Sequence, residues 1–112
     1  MNLKEFKVDY NFLTTLPNGI NKLQKLEVLS ASQNILKTIP FNVLVLRQNL
    51  KSLMLNDNKI MQIQSKIGNL VNLEILLLHN NMITEVPSSM YRLQNLEQLS
   101  LDWFAYINND LI

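Results

Sequence analysis

Apolar residues recur along this chain in one arrangement that begins again every 23 or 24 residues. Leu3, Leu26, Leu50, Leu73 and Leu96 open it, at spacings of 23, 24, 23 and 23. Three positions on stand Phe6, Leu29, Leu53, Leu76 and Leu99, and five positions on stand Val8, Ala31, Leu55, Leu78 and Leu101. Side chains two apart in a strand share a face and the residue between them points the other way, so each opening predicts a short β-strand with one buried face. Eight positions on come Asn11, Asn34, Asn58 and Asn81, followed by Leu13, Leu36, Ile60 and Ile83, and then Leu16, Ile39, Ile63 and Val86. Pro17, Pro40 and Pro87 come next in three of the four units. They fix φ where a missing N–H does no harm, and short helical or 3-10 turns are expected after them. Two more apolar columns, Ile20/Val43/Ile67/Met90 and Leu23/Leu46/Leu70/Leu93, complete the unit.

This pattern, LxxLxLxxNxL, resembles the leucine-rich-repeat family over essentially the whole chain. Its second half, reading LPxxIxxLxNL, looks like the 23-residue intracellular class found in Ras-associated and related scaffold proteins. The resemblance implies an α/β fold, a right-handed solenoid with a parallel concave sheet and short helical or 3-10 turns on the convex side. The chain then reads as one domain, 1–112, made of repeats 3–25, 26–49, 50–72 and 73–95 and a partial capping repeat 96–112.

Stacking explains why the unit must repeat. A single unit cannot bury its apolar columns, but units about 4.7–4.9 Å apart cover each other's. Each fully buried leucine is worth roughly 1.5–3 kcal/mol, which offsets much of the ordering entropy. The asparagine column falls where the chain leaves its strand, and a carboxamide both donates and accepts there, so Asn11, Asn34, Asn58 and Asn81 read as a structural ladder. The extra residue of the second unit is assigned to Arg47-Gln48-Asn49, on the connection to the next strand. At the C-terminal end Phe104 stands where the ladder asparagine belongs, and Trp103, Phe104, Tyr106 and Ile107 are expected to fold over the open core as a cap. The first unit has no such cover. The expectation there is either a longer array or an edge that pairs with another molecule, including edge-to-edge self-association.

The resemblance also implies that the residues between the strand leucines line a concave face that holds a protein partner. Val28, Met54, Ile75 and Leu77 are apolar yet expected to face outward on neighbouring strands, and a contiguous apolar patch marks a contact surface. Ser30, Asn56, His79, Ser100, Asp102 and Trp103 share that face and complete the candidate site. The alternatives are cover by another part of the same chain, self-association, and the general strand preference of aliphatic residues. Asp9, Asp57 and Asp102 with the lysines are expected to form a polar rim that sets specificity.

Composition narrows the function further. The chain is 112 residues long with 22 leucines, 16 asparagines and no cysteine, so disulfide frameworks, thiolate metal sites and thiol chemistry are excluded. A net charge of +1 with scattered lysines lacks the basic stripe of nucleic-acid binding. No apolar run approaches the roughly 20 residues of a membrane span, and the start lacks a secretory pattern; a cytoplasmic protein without membrane insertion is expected. His79 is the only histidine, with Ser100 and Asp102 expected on the adjacent strand. An open sheet supplies no oxyanion site and no water-excluding pocket for such a trio, so no catalytic residue is assigned and His79 reads as a rim contact, pH-sensitive if Asp102 pairs with it. No metal set converges and the two glycines are isolated, so no cofactor is expected. The sequence therefore points to a non-catalytic protein-interaction module, a scaffold or signalling adaptor. The alternatives are a structural segment of a larger assembly and a targeting arm of a longer protein.

Overall fold

A computed structural model describes residues 2–103 and 105. Five strands, β1 (Glu5–Lys7), β2 (Val28–Ser30), β3 (Ser52–Met54), β4 (Ile75–Leu77) and β5 (Gln98–Ser100), form one parallel sheet in sequence order. Each strand pairs with the equivalent three residues of its neighbour, so Phe6, Leu29, Leu53, Leu76 and Leu99 lie side by side in one row. That register follows from the period, because a slip of one residue would turn every apolar row outward. The rows fuse into one core in which Leu29, Leu53 and Leu76 are completely buried, together with Leu36, Ile60 and Ile83 behind them.

Four 3-10 turns cross the opposite side of the core: η1 (Asn18–Lys22), η2 (Phe41–Val43), η3 (Ser65–Asn69) and η4 (Ser88–Arg92). Pro17, Pro40 and Pro87 precede three of them with φ of −55°, −58° and −67°. Gln64 takes the same place before η3 at φ −68°, and its side-chain amide donates to the Ile39 carbonyl of the preceding unit. The turns stack on one another, η1 on η2 and η3 on η4. The extra residue of the second unit lies between Leu46 and Leu50, where Arg47, Gln48 and Asn49 form a turn. In the other units the leucine opening the next strand donates its N–H to the leucine three residues back, as Leu26 does to Leu23 and Leu73 to Leu70.

A second asparagine column closes this side. Asn49, Asn72 and Asn95 each donate to carbonyls of the preceding unit, at Gln24, Gln48 and Val71, over 2.8, 2.7 and 3.0 Å. The fold is thus an α/β leucine-rich-repeat solenoid: parallel strands on one face, 3-10 turns on the other, and amide bridges at both bends.

Candidate interaction surface

The strand leucines face the core, so the residues between them are presented on the opposite, open face of the sheet. Register places Val28, Ser52 and Ile75 in one row, and Ser30, Met54 and Leu77 in the next. Val28, Met54, Ile75 and Leu77 are each half-buried, held between neighbouring side chains of the sheet while still reaching its surface. Ser30 differs: it is 4% exposed, and its hydroxyl donates to Asp9 Oδ1 at 2.6 Å. It belongs to the framework of the face, not to its contact area.

The expected acidic rim is largely committed to the protein itself. Asp9 Oδ1 also accepts the Ser32 N–H and hydroxyl, both at 2.8 Å, which ties the first unit to the second. Partial burial favours the neutral form of Asp9, but the Ser30 and Ser32 hydroxyls, the Ser32 N–H and the nearby Lys7 charge outweigh it and hold the carboxyl below its ordinary 3.8. Asp102 accepts the backbone N–H groups of Asn80 and Asn81 at 2.8 and 3.1 Å. Asp57 accepts the amides of Asn80 and Asn56 at 2.9 and 2.7 Å. These carboxylates fasten one unit to the next where the strands end, and so contribute less free charge to a rim than the sequence implies.

His79 Nδ1 lies 2.6 Å from Ser100 Oγ on the adjacent strand. Asp102 is turned to the backbone of the preceding unit instead, and among the described residues no ion pair joins it to His79. The three side chains share a neighbourhood without forming a relay, because a base must be oriented by the third group and nothing fixes His79 that way. Asn56 and His79 remain half-buried beside the apolar patch, and Trp103 stands 70% exposed past the end of β5. Phe104, Tyr106 and Ile107, assigned from sequence to the cap, lie outside the described residues.

Beneath the face runs the asparagine ladder. Asn58 accepts the Leu36 N–H at 2.9 Å and donates to the Ala31 and Leu55 carbonyls at 3.0 and 3.1 Å. Asn34 and Asn81 repeat this with Leu13 and Ile60 as donors. Asn11, exposed, reaches only Val8 and Asp9 of its own unit. Just before each ladder residue, Tyr10, Gln33, Asp57 and Asn80 adopt left-handed φ of 55–60°, which turns the chain away from the sheet.

Apolar surface on the bend after the ladder escaped the sequence reading. Phe12, Met61 and Met82 are 89%, 60% and 52% exposed, and Ile35 lies in line with Phe12 and Met82. Phe12 and Ile35 flank a shallow cleft of about 410 Å³ that Gln33, Asp57 and Asn80 also border. The signal was present: the position after each ladder asparagine reads Phe12, Ile35, Lys59 and Met82, three of them apolar, outside any strand.

Comparison with known proteins bears on the whole arrangement. The leucine-rich-repeat family profile matches residues 48–103, half of the chain. The chain belongs to the leucine-rich-repeat family. Among solved structures it is similar to a leucine-rich-repeat protein of Leptospira interrogans, at 31% identity and a TM-score of 0.72 over 89% of this chain and 31% of that one. It is similar to an internalin of Listeria monocytogenes at 28% identity and a TM-score of 0.76, over 88% of this chain and 28% of that one. A plant peptide hormone receptor in complex with RGF2 matches at 35% identity and a TM-score of 0.73, over 83% of this chain and 15% of the receptor. A probable serine/threonine-protein kinase of Dictyostelium discoideum is 34% identical over 68 residues, 61% of this chain and 5% of the kinase. The chain thus spans a third or less of each of these proteins. Among the described residues no helix is long and apolar enough to cross a membrane, and no cluster of potential metal ligands occurs.

Proposed function

We propose that this leucine-rich-repeat domain is a scaffold or adaptor module that takes a protein partner on the open face of its sheet, without catalysing a reaction. The observation that carries the reading is the cross-strand register that sets Met54 against Leu77 and Ser52 against Ile75. It gathers Val28, Met54, Ile75 and Leu77 into one patch on three adjacent strands. Aliphatic side chains at the surface of a sheet whose core is already filled gain most from burial against another molecule. The flexible thioether of Met54 adapts to an irregular partner surface, while Asn56 and His79 offer hydrogen bonds at its margin. The resemblance to a receptor solved with its bound partner supports recognition by a surface of this fold.

The test is capture from source cells with the wild type and a Leu77→Asp, Met54→Lys variant side by side. Capture is lost in the variant while far-ultraviolet dichroism and the melting temperature stay unchanged, because neither side chain belongs to the buried row. Equal capture by both proteins sinks the proposal. The small share of each relative that the chain spans favours a second reading, in which these repeats are the partner-recognising arm of a larger protein.

A further inference from the structure

Basic residues that are scattered along the sequence are sorted by the fold. Segments 17–25, 40–49, 64–72 and 87–95, which carry the four 3-10 turns and the connections after them, hold Lys22, Lys25, Arg47, Lys66 and Arg92. None of the nine acidic residues falls in these segments, so the turn face carries five positive side chains, while the rest of the chain sets five basic residues against nine acidic ones. All five cations are exposed, and among the described residues none has a carboxylate partner, the one ion pair joining Lys7 to Glu5 in β1.

The turn face is continuous. Asn42 donates to the Pro17 carbonyl at 3.0 Å, Lys66 Nζ lies 4.9 Å from the centre of the Phe41 ring, and Ser89 donates to the Ser65 carbonyl at 2.6 Å, so each turn is joined to the next. Arg47 and Lys66, from successive units, border one recess of about 190 Å³ together with Leu44, Val45 and Asn69. Apolar side chains stand between the cations: Phe41 and Tyr91 are 62% and 71% exposed, and Val45 and Val71 also reach the surface.

Two unmet demands thus share one surface. Like charges without counter-charges repel one another, and an anionic surface at short range relieves that repulsion. Exposed aromatic and aliphatic side chains gain from leaving water. A polynucleotide meets the first demand and has nothing for Val45 and Val71. An acidic protein segment must match, at fixed positions, cations borne on long flexible stems and spread over four units. An anionic bilayer meets both demands: its fluid headgroups rearrange around the cations, and the acyl boundary just beneath them takes the aromatic and aliphatic side chains.

We propose that the turn face is a peripheral docking surface for an anionic lipid bilayer, held by the five cations, with Phe41 and Tyr91 entering the headgroup layer. The chain lies on the bilayer without crossing it, and the patch around Leu77 on the open face of the sheet points away from the lipid, free for a protein partner. The two faces share no residue, so this proposal and the proposed function fail separately.

Co-sedimentation of the full chain with vesicles of phosphatidylcholine containing about a third phosphatidylserine tests this. The wild type binds them, binds pure phosphatidylcholine vesicles far less, and is released as salt is raised. A basic residue near an anionic surface contributes about fivefold in affinity, so Arg47→Gln, Lys66→Gln weakens binding about 25-fold. Lys4→Gln, Lys51→Gln removes the same charge from exposed positions at the strand starts and leaves binding within about twofold of wild type. Phe41→Ser, Tyr91→Ser weakens binding several-fold at unchanged charge, a loss that a purely electrostatic site would not show. Far-ultraviolet dichroism stays that of the wild type in all three variants, because every altered side chain is exposed. Absence of binding to the anionic vesicles, or equal losses in the two charge variants, overturns the proposal, as does tighter binding to a polynucleotide or to polyglutamate than to the vesicles.

Discussion

The carboxamides and carboxylates at the strand ends do most of their work inside the chain. Asn58 is 4% exposed and bonds to groups of its own and the preceding unit. Removing it leaves the Leu36 N–H and the Ala31 and Leu55 carbonyls without that partner in a buried bend. Asn58→Ala should therefore cost about 2–4 kcal/mol, several unmet groups at roughly 1–3 kcal/mol each with partial relaxation. Asn11→Ala should cost less than about 1 kcal/mol, since Asn11 is exposed and water replaces its bonds. Urea denaturation of the two variants checks the contrast, and equal losses would contradict it. Asp9 supplies a pH dependence of defined sign. Its folded carboxyl sits below the ordinary value, so its stabilisation is fully present above about pH 4 and is lost as pH falls through the lowered folded value. In Asp9→Asn the urea midpoint should be lower at neutral pH and should fall less between neutrality and strong acid.

At the scale of the strand and the 3-10 turn, equivalent positions in different units are not equally constrained. Gly68 is buried where η3 meets η4, and a Cβ there would lie 2.6 Å from the Ser89 carbonyl oxygen and 2.8 Å from Ser89 Cβ. Gly19, near the start of η1, has nothing within 4 Å of the same point. Gly68→Ala should push η3 and η4 apart and cost about 1–3 kcal/mol as overpacking, while Gly19→Ala should leave the thermal midpoint within about a degree of wild type or slightly raise it. Differential scanning calorimetry decides between them. Sequence could not separate these glycines, because both are isolated in the turn half of a repeat. The strands, their register and the 3-10 turns were legible for the opposite reason: each is specified several times over by columns of leucine, asparagine and proline, and one irregular unit such as that holding Gln64 is outvoted. Side-chain commitments between units were not legible. That Asp102 turns to the Asn80 and Asn81 backbone instead of His79, or that Ser30 is consumed by Asp9, depends on rotamers that column position does not determine. The exposed row of Phe12, Ile35 and Met82 was visible in the columns but lay outside the strands, where a periodicity of two directs attention.

For the whole molecule, stability is a sum of units and the interfaces between them, and among the described elements no contact joins units that are not neighbours. The first unit has a described neighbour on one side only: Phe6, Val8 and Leu13 are half-buried, whereas Leu53 and Leu55, in the middle of the array, are completely buried. Native-state hydrogen exchange should show protection rising from β1 to β3 and β4, because opening the first unit breaks one described interface while opening the third breaks two. Leu53→Ala should cost about 2–5 kcal/mol and lower protection in the flanking strands as well as its own. Phe6→Ala should accelerate exchange at the Val8 and Tyr10 amides, whose acceptors lie on the second unit, and leave the amides of β4 unchanged. If both variants lowered protection evenly across the sheet, the array would be unfolding as a single unit and the nearest-neighbour account would fail.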